Sequence, residues 1–159
     1  MIDCGVHQID LARWWSGSEI SAFTGHGARI DADFDCPDHV FIQATHQNGV
    51  HTMIESGYSF GHTAKEQQVH YRFDAVGTDG VVGFDRGSES FQLAQPGGIT
   101  RFPFNQGKGF DNMYVQFRTA IETGDAGVFA SGEDGIIATR IAREAVAMVS
   151  KRSVGTSGR

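Results

Sequence analysis

The chain has 159 residues, of which 13 are Lys or Arg and 19 are Asp or Glu, so its formal net charge at pH 7 is −6. A chain of this length is expected to form one domain that buries roughly 70% of the surface its unfolded state exposes, which excludes disorder. Its basic residues form no face that could follow a phosphate backbone, which argues against nucleic-acid binding. No apolar run is long enough to cross a membrane.

The two cysteines, Cys4 and Cys36, lie in neither a C-x-x-C nor a zinc-type spacing. They cannot form a disulfide framework in a chain of this size, which favours a reducing, intracellular setting. No basic and apolar leader follows Met1. The sequence therefore predicts a cytoplasmic protein.

β-Branched residues dominate the apolar composition, with 23 Ile and Val and 10 Thr against only 2 Leu. These side chains pack well on pleated surfaces and lose rotamer freedom in helices, so a sheet-dominated fold is expected. The 21 glycines separate alternating segments rather than forming one linker. They are predicted to mark turns between strands.

The first predicted helix covers residues 2–16, and Gly17 can end it in a left-handed conformation. Alternation from Ser18 to Ser59 predicts strands. Asn48-Gly49 between two of them predicts a two-residue hairpin turn with φ > 0 at both positions. Further strands are predicted at 66–76, 80–86, 88–94 and 98–104 as an antiparallel meander.

Two more helices follow the strands. Apolar residues at helical spacing from Phe110 to Ile121 predict an amphipathic helix that Gly124 ends. Ser131 and Asp134 predict a capped last helix that reaches about Ser150. We expect an α+β domain over 1–150, with a flexible tail at 151–159. Its mostly antiparallel, open-faced β-sheet would carry helices packed on one face.

The densest polar cluster lies in the first predicted helix. Asp3, His7 and Asp10 stand at i, i+4 and i+7 and would share one helical face. A histidine held by carboxylates can exchange a proton near neutral pH, which suits a general acid or base. Short spacings of this kind also arise on solvated helix faces, so the spacing alone leaves both interpretations open.

Other candidate residues lie outside this cluster. A two-residue turn would place His46 opposite His51, close enough to share a metal. The sequence offers no third ligand, so no metal site is predicted. Tyr58 and Phe60 could line a sugar-sized pocket, although half-buried aromatics more often pack in a core.

Three further residues are interpreted structurally. Cys4 lies beside the histidine but has no activating neighbour, so it is interpreted as a packing residue. Arg140 and Arg143 are assigned to the solvated side of the last helix.

The stretch from Asp3 to Gly17 resembles the D-x-x-x-H-x-x-D…W-x-x-G motif of the Gfo/Idh/MocA oxidoreductases, which include inositol dehydrogenases and glucose-fructose oxidoreductases. Gly77-Thr78-Asp79-Gly80 is similar to a strand turn of that family. The segments 108–124 and 131–135 resemble the family's last two helices. The resemblance therefore extends over nearly the whole chain.

The resemblance implies the C-terminal domain of such an enzyme, of the glyceraldehyde-phosphate-dehydrogenase type, without its Rossmann domain. NAD or NADP would bind to that missing domain, and no cofactor-binding residue is assigned here. The sequence agrees, because no G-x-G-x-x-G follows a strand and the family's Glu-Lys-Pro segment is absent. Met1 is accordingly expected to be an internal methionine, a truncation point or a misplaced start.

The resemblance also implies roles for individual residues. His7 matches the family's catalytic histidine, and Asp3 matches the acid that positions the substrate or the histidine. Asp10 matches a further acid near the substrate, and Tyr58 is a weaker substrate-binding candidate. A lysine of the missing domain would cooperate with His7 in hydride transfer on a sugar, cyclitol or related polyol. The chain alone would be inactive.

The open sheet face and an unpaired edge predict self-association into a dimer or tetramer. The main alternative is a stand-alone, non-catalytic module that dimerises through its sheet or binds a ligand. A small metal-dependent enzyme built on His46 and His51 is a second alternative.

Overall fold

The computed structural model describes residues 1–31, 33–58, 65–66, 70–105, 107 and 109–154, with the backbone alone for 152–154. The described helices are α1 (Gly5–Ser16), α2 (Phe110–Thr123) and α3 (Gly132–Val154). The described strands are β1 (Ile20–Ala28), β2 (His39–His46), β3 (His51–Gly57), β4 (Arg72–Gly77), β5 (Gly80–Asp85), β6 (Ser90–Gln95) and β7 (Gly98–Arg101). The predicted α+β class is confirmed.

The chain divides into two compact units, and the first comprises Met1–Ser59 with Val128–Arg159. In this unit β1, β2 and β3 form an antiparallel sheet in that order. Alternate residues of β2 are buried, as the period of a strand requires when only one face is covered. They pack against apolar residues of α1 and α3. The resulting core consists of Ile9, Ala12, Val40, Ile42, Ala44, Ile54, Ala138, Ile141, Ala142, Ala145 and Val149.

Helix α3 lies directly against the backbone of β1. A Cβ atom on Gly25 would approach the carbonyl oxygen of Ala145 to 2.6 Å, which is closer than real contacts allow. Met148 reaches the same place, because its sulfur lies 3.3 Å from the Gly25 nitrogen. The glycine therefore permits the helix to approach the sheet closely.

The second unit, Phe60–Gly127, contains the antiparallel sheet β4-β5-β6-β7 and helix α2. Phe73, Phe84 and Phe91 lie opposite one another on adjacent strands. The ring centroids of Phe73 and Phe84 are 5.3 Å apart, and those of Phe84 and Phe104 are 5.2 Å apart. This aromatic row stabilises the sheet through cross-strand contacts. No residue of α2 is buried.

Several predicted boundaries are confirmed. Gly17 and Gly124 end α1 and α2 with φ of 60° and 74°. Ser131 and Asp134 form the predicted reciprocal cap, in which the Asp134 amide donates to Ser131 Oγ at 3.2 Å and the Ser131 amide donates to the Asp134 carboxylate at 2.8 Å. Helix α3 extends to Val154, beyond the predicted end near Ser150.

Other predicted boundaries are corrected. Within the described residues the strands form two sheets rather than one. The predicted strand 66–76 begins only at Arg72, and its residues 67–69 lie outside the described part. Residues 155–159 of the predicted tail also lie outside it. None of the described helices combines the length and apolarity needed to cross a lipid bilayer.

The Asn48-Gly49 hairpin joins β2 to β3, but its loop has three residues rather than two. The His46 amide donates to the Val50 carbonyl at 2.8 Å, and the Gly49 amide donates to the His46 carbonyl at 3.0 Å. Of the loop residues, Gly49 has φ of 86°, whereas Asn48 keeps a negative φ. A type I turn followed by a left-handed glycine is the usual form of a three-residue hairpin.

Candidate functional site

Asp3, His7 and Asp10 lie before α1 and within its first half. The helix begins at Gly5 with Cys4 as its N-cap, so Asp3 precedes the helix and does not share a helical face with the other two. This part of the prediction is wrong because an i, i+4 spacing fixes a shared face only within a helix. His7 lies in the first turn and is exposed, and Asp10 is half-buried.

Asp3 is held by a hydrogen bond from Tyr58, the residue after β3, and not by a neighbour in the helix. The Tyr58 hydroxyl donates to Asp3 Oδ2 at 2.5 Å, and the Cys4 thiol donates to the same oxygen at 3.6 Å. These hydrogen bonds, above all the one from Tyr58, lower the pKa of Asp3 below its ordinary value. Asp3 is therefore an ionised acceptor in a fixed place.

Tyr58 follows directly after β3. Its pKa is raised, whereas that of Asp3 is lowered. The hydrogen bond to Asp3, followed by burial, raises the pKa of Tyr58 to about 12. A phenol with this pKa stays protonated at neutral pH and keeps donating to Asp3. Tyr58 therefore acts as a donor that orients Asp3, and it cannot be the base of a reaction near pH 7.

Asp38, which the sequence analysis did not single out, connects this site to the loop between β1 and β2. It is buried, and its carboxylate accepts from the amides of Ile30 at 2.8 Å and Asp31 at 2.7 Å. Burial raises the pKa of Asp38, but these backbone donors outweigh it, so the pKa is lowered. The Asp38 carbonyl also accepts the Tyr58 amide at 3.0 Å. An aspartate directly before a predicted strand was the only signal in the sequence.

Asp10 contacts a buried arginine that sequence reasoning also missed. The Arg13 side chain is only 6% exposed and donates to Asp10 Oδ1 at 3.4 Å. It donates to Glu19 Oε1 at 2.6 Å and to Asp134 Oδ1 at 3.0 Å as well. These ion pairs join α1, the start of β1 and the start of α3. The proposed role of Asp10 in substrate binding stays a prediction.

The ion pairs shift the pKa values of Arg13, Glu19 and Asp134. The hydrogen bond to Glu19 raises the pKa of Arg13, and the same contact lowers the pKa of Glu19. The pKa of Asp134 falls to about 2, because it accepts from Ser131 as the helix cap and from Arg13. All these shifts stabilise the charged forms, as opposite charges and donors do.

The predicted pairing of His46 with His51 is wrong. The three-residue loop places Thr45 opposite His51, so the two histidines point to opposite faces of the sheet. His46 is buried, where its Nδ1 lies 2.9 Å from both Ser16 Oγ and the Ser18 carbonyl oxygen. In the part of the chain that the structure describes, no group of three or more His, Cys, Asp or Glu could hold a metal.

The sequence also singled out Cys4, Phe60, Arg140 and Arg143. Cys4 is exposed at the N-cap position of α1, where its side chain makes no capping hydrogen bond, so its interpretation as a packing residue is wrong. Phe60 lies outside the described residues. Arg140 and Arg143 are exposed on α3, as predicted.

The chemistry available at the N-terminal end of α1 is proton exchange at an exposed imidazole beside an ionised, oriented carboxylate. A dinucleotide phosphate would need a glycine-rich turn that opens a helix directly after a strand. The sequence contains no G-x-G-x-x-G, and the turns between the described strands of the second sheet lead to further strands. The described turns of the second sheet therefore do not fit the phosphates of a nicotinamide dinucleotide.

The fold is similar to parts of solved oxidoreductases. UDP-N-acetylglucosamine 3-dehydrogenase GnnA from Acidithiobacillus ferrooxidans matches with a TM-score of 0.75 at 17% identity, over 91% of this chain and 45% of that one. The aldose-aldose oxidoreductase from Caulobacter crescentus, solved with glycerol, matches with a TM-score of 0.74 at 20% identity, over 94% and 44%. An oxidoreductase from Agrobacterium radiobacter, solved with NAD+, L-tartaric acid and magnesium, matches with a TM-score of 0.71 at 18% identity, over 99% and 47%.

This chain thus spans about half the length of the solved structures it matches. No curated protein is significantly similar to it in sequence. The family model of the GFO/IDH/MocA C-terminal domain matches residues 1–83, which include α1, the first sheet and Tyr58. The chain therefore belongs to the GFO/IDH/MocA C-terminal domain family, and the predicted resemblance is confirmed.

Proposed function

We propose that this chain is the substrate-binding and oligomerisation domain of an NAD(P)-dependent oxidoreductase that acts on a sugar, cyclitol or related polyol. The observation that carries the proposal is the arrangement at the start of α1, where Tyr58 holds an ionised Asp3 beside an exposed His7. A carboxylate fixed by a neutral phenol is suited to accept a substrate hydroxyl. The family to which the chain belongs contains oxidoreductases, which supports this assignment.

In the proposed reaction His7 removes the proton of the reacting hydroxyl, or returns it in the reverse direction. Asp3 orients that hydroxyl or the imidazole through its carboxylate, and Tyr58 keeps the carboxylate in place. Asp10 binds a further hydroxyl of the substrate while Arg13 restrains its carboxylate. These roles follow the residues that match the family motif.

The nicotinamide cofactor, NAD or NADP, would supply the hydride acceptor or donor. We propose that it binds to an N-terminal Rossmann domain outside this chain, since the sequence contains no G-x-G-x-x-G to hold its phosphates. The chain alone would then be catalytically silent. We also propose a cytoplasmic location, in line with the unpaired cysteines.

The test is steady-state kinetics of the full-length protein that contains this chain, with NAD+ or NADP+ and a panel of sugars, cyclitols and linear polyols. His7→Gln is expected to reduce kcat by roughly 10² to 10⁴, which is the usual contribution of a general acid or base. His70→Gln, which changes an exposed histidine of the second unit, is the matched control and should leave kcat unchanged. An active His7→Gln enzyme would refute the assignment.

The outer face of the first sheet is proposed as the surface of self-association. It carries Phe41 at 38% exposure and Met53 at 81%, on the side opposite α1 and α3. Apolar side chains on an uncovered sheet face favour pairing with a second copy. Sedimentation should show a dimer or tetramer that Met53→Lys weakens, and a monomer at high concentration would contradict the proposal.

The same apolar face also supports the alternative of a non-catalytic, sheet-mediated module. In the oxidoreductase domain the start of α1 binds the substrate, whereas in the non-catalytic module it takes part in no reaction. Saturable binding of a polyol to the chain, lost in His7→Ala, would argue against the module. Self-association without any polyol binding would favour it.

A further inference from the structure

The loop between β1 and β2 is held from inside by one buried side chain. Asp38, at 6% exposure, accepts the amides of Ile30 and Asp31 at 2.8 and 2.7 Å with its two carboxylate oxygens. The charge of a buried carboxylate is expensive unless donors satisfy it, and here two backbone donors do so. The loop is therefore anchored to the start of β2.

The same residue fixes Tyr58. The Asp38 carbonyl accepts the Tyr58 amide at 3.0 Å, while the Tyr58 hydroxyl is bound to Asp3. Both ends of the tyrosine are thereby restrained. The loop and the ring that orients Asp3 consequently share a single anchor.

A turn in this loop brings a second aromatic ring to Tyr58. The Asp33 amide donates to Asp31 Oδ1 at 2.9 Å, and the Phe34 amide donates to the Asp31 carbonyl at 3.4 Å. The rings of Phe34 and Tyr58 are nearly parallel, with an interplanar angle of 22° and centroids 6.5 Å apart. This spacing is within the range of aromatic pairs.

Both rings remain open to solvent although their positions are fixed. Phe34 is 41% exposed and Tyr58 is 54% exposed. The Tyr58 hydroxyl contacts the carboxylate of Asp3, whose hydrogen bonds from Tyr58 and Cys4 both reach Oδ2. The surface therefore combines an apolar aromatic face with an ionised acceptor, and it matches a ligand that has a C–H face and a rim of hydroxyl groups.

We infer that Phe34 is a specificity-determining residue of the proposed active site, where its ring packs against the C–H face of a cyclic polyol whose hydroxyl is bound by Asp3. The inference rests on the proposed function and narrows its substrate to ring-shaped sugars and cyclitols. A linear polyol has no flat C–H face to pack on the ring. Phe34 acts in binding and contacts no reacting atom.

The charge of the loop narrows the substrate further. Residues 29–38 contain four aspartates and one arginine. An anionic group brought to Phe34 would meet like charges, which disfavours phosphorylated sugars. The expected substrate is an uncharged ring.

The experiment compares a cyclic with a linear polyol of the same number of hydroxyl groups, myo-inositol and sorbitol, on the full-length protein. Phe34→Leu should raise KM for the ring roughly three- to tenfold and leave kcat unchanged, because only a stacking contact is lost. Phe34→Tyr keeps the aromatic ring and should therefore show the wild-type KM for myo-inositol. KM for sorbitol should not change in either variant.

The matched control is Phe102→Leu, since Phe102 is 39% exposed and also contacts one ring, that of Phe91 at 4.8 Å. It should leave both KM values unchanged. An equal rise for ring and linear substrates in Phe34→Leu would overturn the inference and indicate a structural role, as would a fall in kcat at constant KM.

Equilibrium binding of myo-inositol gives a readout that does not need turnover. Its Kd should rise in Phe34→Leu by the same factor as KM, and an unchanged Kd would overturn the inference. The proposed function is tested separately by His7→Gln. An active His7→Gln enzyme together with a ring-selective loss in Phe34→Leu would refute the catalytic assignment while leaving the binding surface intact.

Discussion

The two ends of α1 differ in what surrounds the charged side chains found there. At the N-terminal end Asp3 and His7 are exposed, and a single phenol orients Asp3. Near the C-terminal end the guanidinium of Arg13 is buried and binds carboxylates from three segments. Exposed polar groups fixed by few contacts can meet a ligand, whereas buried and saturated ones hold elements together. The start of α1 is therefore a candidate site, whereas the other end of the helix carries a structural ion-pair cluster.

The largest expected effect concerns the buried end. Arg13→Met should lower the free energy of unfolding by about 2–4 kcal/mol, because it leaves Glu19 and Asp134 without their partner. This value allows for the partial exposure of the two carboxylates, which water can solvate in the variant. Urea unfolding of the wild type and of Arg13→Met measures this difference in the free energy of unfolding.

Arg118→Met serves as the control for the loss of an arginine. Arg118 is 80% exposed and pairs with Glu122 one turn along α2, so its removal should change stability by no more than about 0.5 kcal/mol. If both variants lost the same stability, the contrast between a buried and a solvated pair would be wrong.

A smaller effect is expected at the start of α3, where the ion-pair cluster and the helix cap meet. Ser131→Ala should cost about 1 kcal/mol, since the Asp134 amide loses its acceptor. Ser150→Ala, which alters a hydroxyl bonded to the Val146 carbonyl within the same helix, should cost less. Equal losses in urea unfolding would contradict the capping role.

The pH dependence of stability distinguishes the two causes of the low pKa of Asp134, which are the hydrogen bonds from Ser131 and from Arg13. Its folded pKa of about 2 lies below the ordinary value of an aspartate, so its ionised form stabilises the fold above about pH 4. That contribution is lost as the pH falls from about 4 towards 2. The loss between these values should shrink in Ser131→Ala, whose hydroxyl is the largest cause of the shift, and less strongly in Arg13→Met. If the stability of Ser131→Ala fell with pH as steeply as that of the wild type, Ser131 would not be the main cause of the shift.

Sequence reasoning succeeded where the determinants are local. The glycines after α1 and α2, the Ser131 cap and the apolar period of α2 depend on neighbouring residues, and each was predicted correctly. The turn at Asn48-Gly49 was placed correctly but given the wrong length. Asn-Gly fits both a two-residue and a three-residue loop, and the pairing of Thr45 with His51 decides between them.

The parts that could not be predicted depend on distant residues. Arg13 falls on the apolar side of α1 with Ile9 and Ala12, and one of its partners, Asp134, lies 121 positions away. Asp3 is oriented by Tyr58, 55 positions away, rather than by the helix. Period and spacing therefore located the candidate residues without showing which contacts hold them.

The smallest expected effect is a change in the titration of Tyr58, which tests its hydrogen bond to Asp3 at the exposed end of α1. In the wild type one of the three tyrosines should titrate at about 12, because ionised Asp3 stabilises the phenol form of Tyr58. This hydrogen bond contributes to stability below about pH 10 and is lost as the pH rises through about 12. In Asp3→Asn the titration should return towards pH 10, as followed by the absorbance of tyrosinate.

Two tyrosine variants identify the group that titrates. Tyr58→Phe should remove the high-pH step, whereas Tyr114→Phe, which changes an exposed ring on α2, should retain it. If Asp3→Asn left the step in place, Tyr58 would owe its pKa to burial, and the orientation of Asp3 by a phenol would have to be abandoned. If the step moved, the hydrogen bond from Tyr58 would be established as the contact that orients Asp3 at the exposed end of α1.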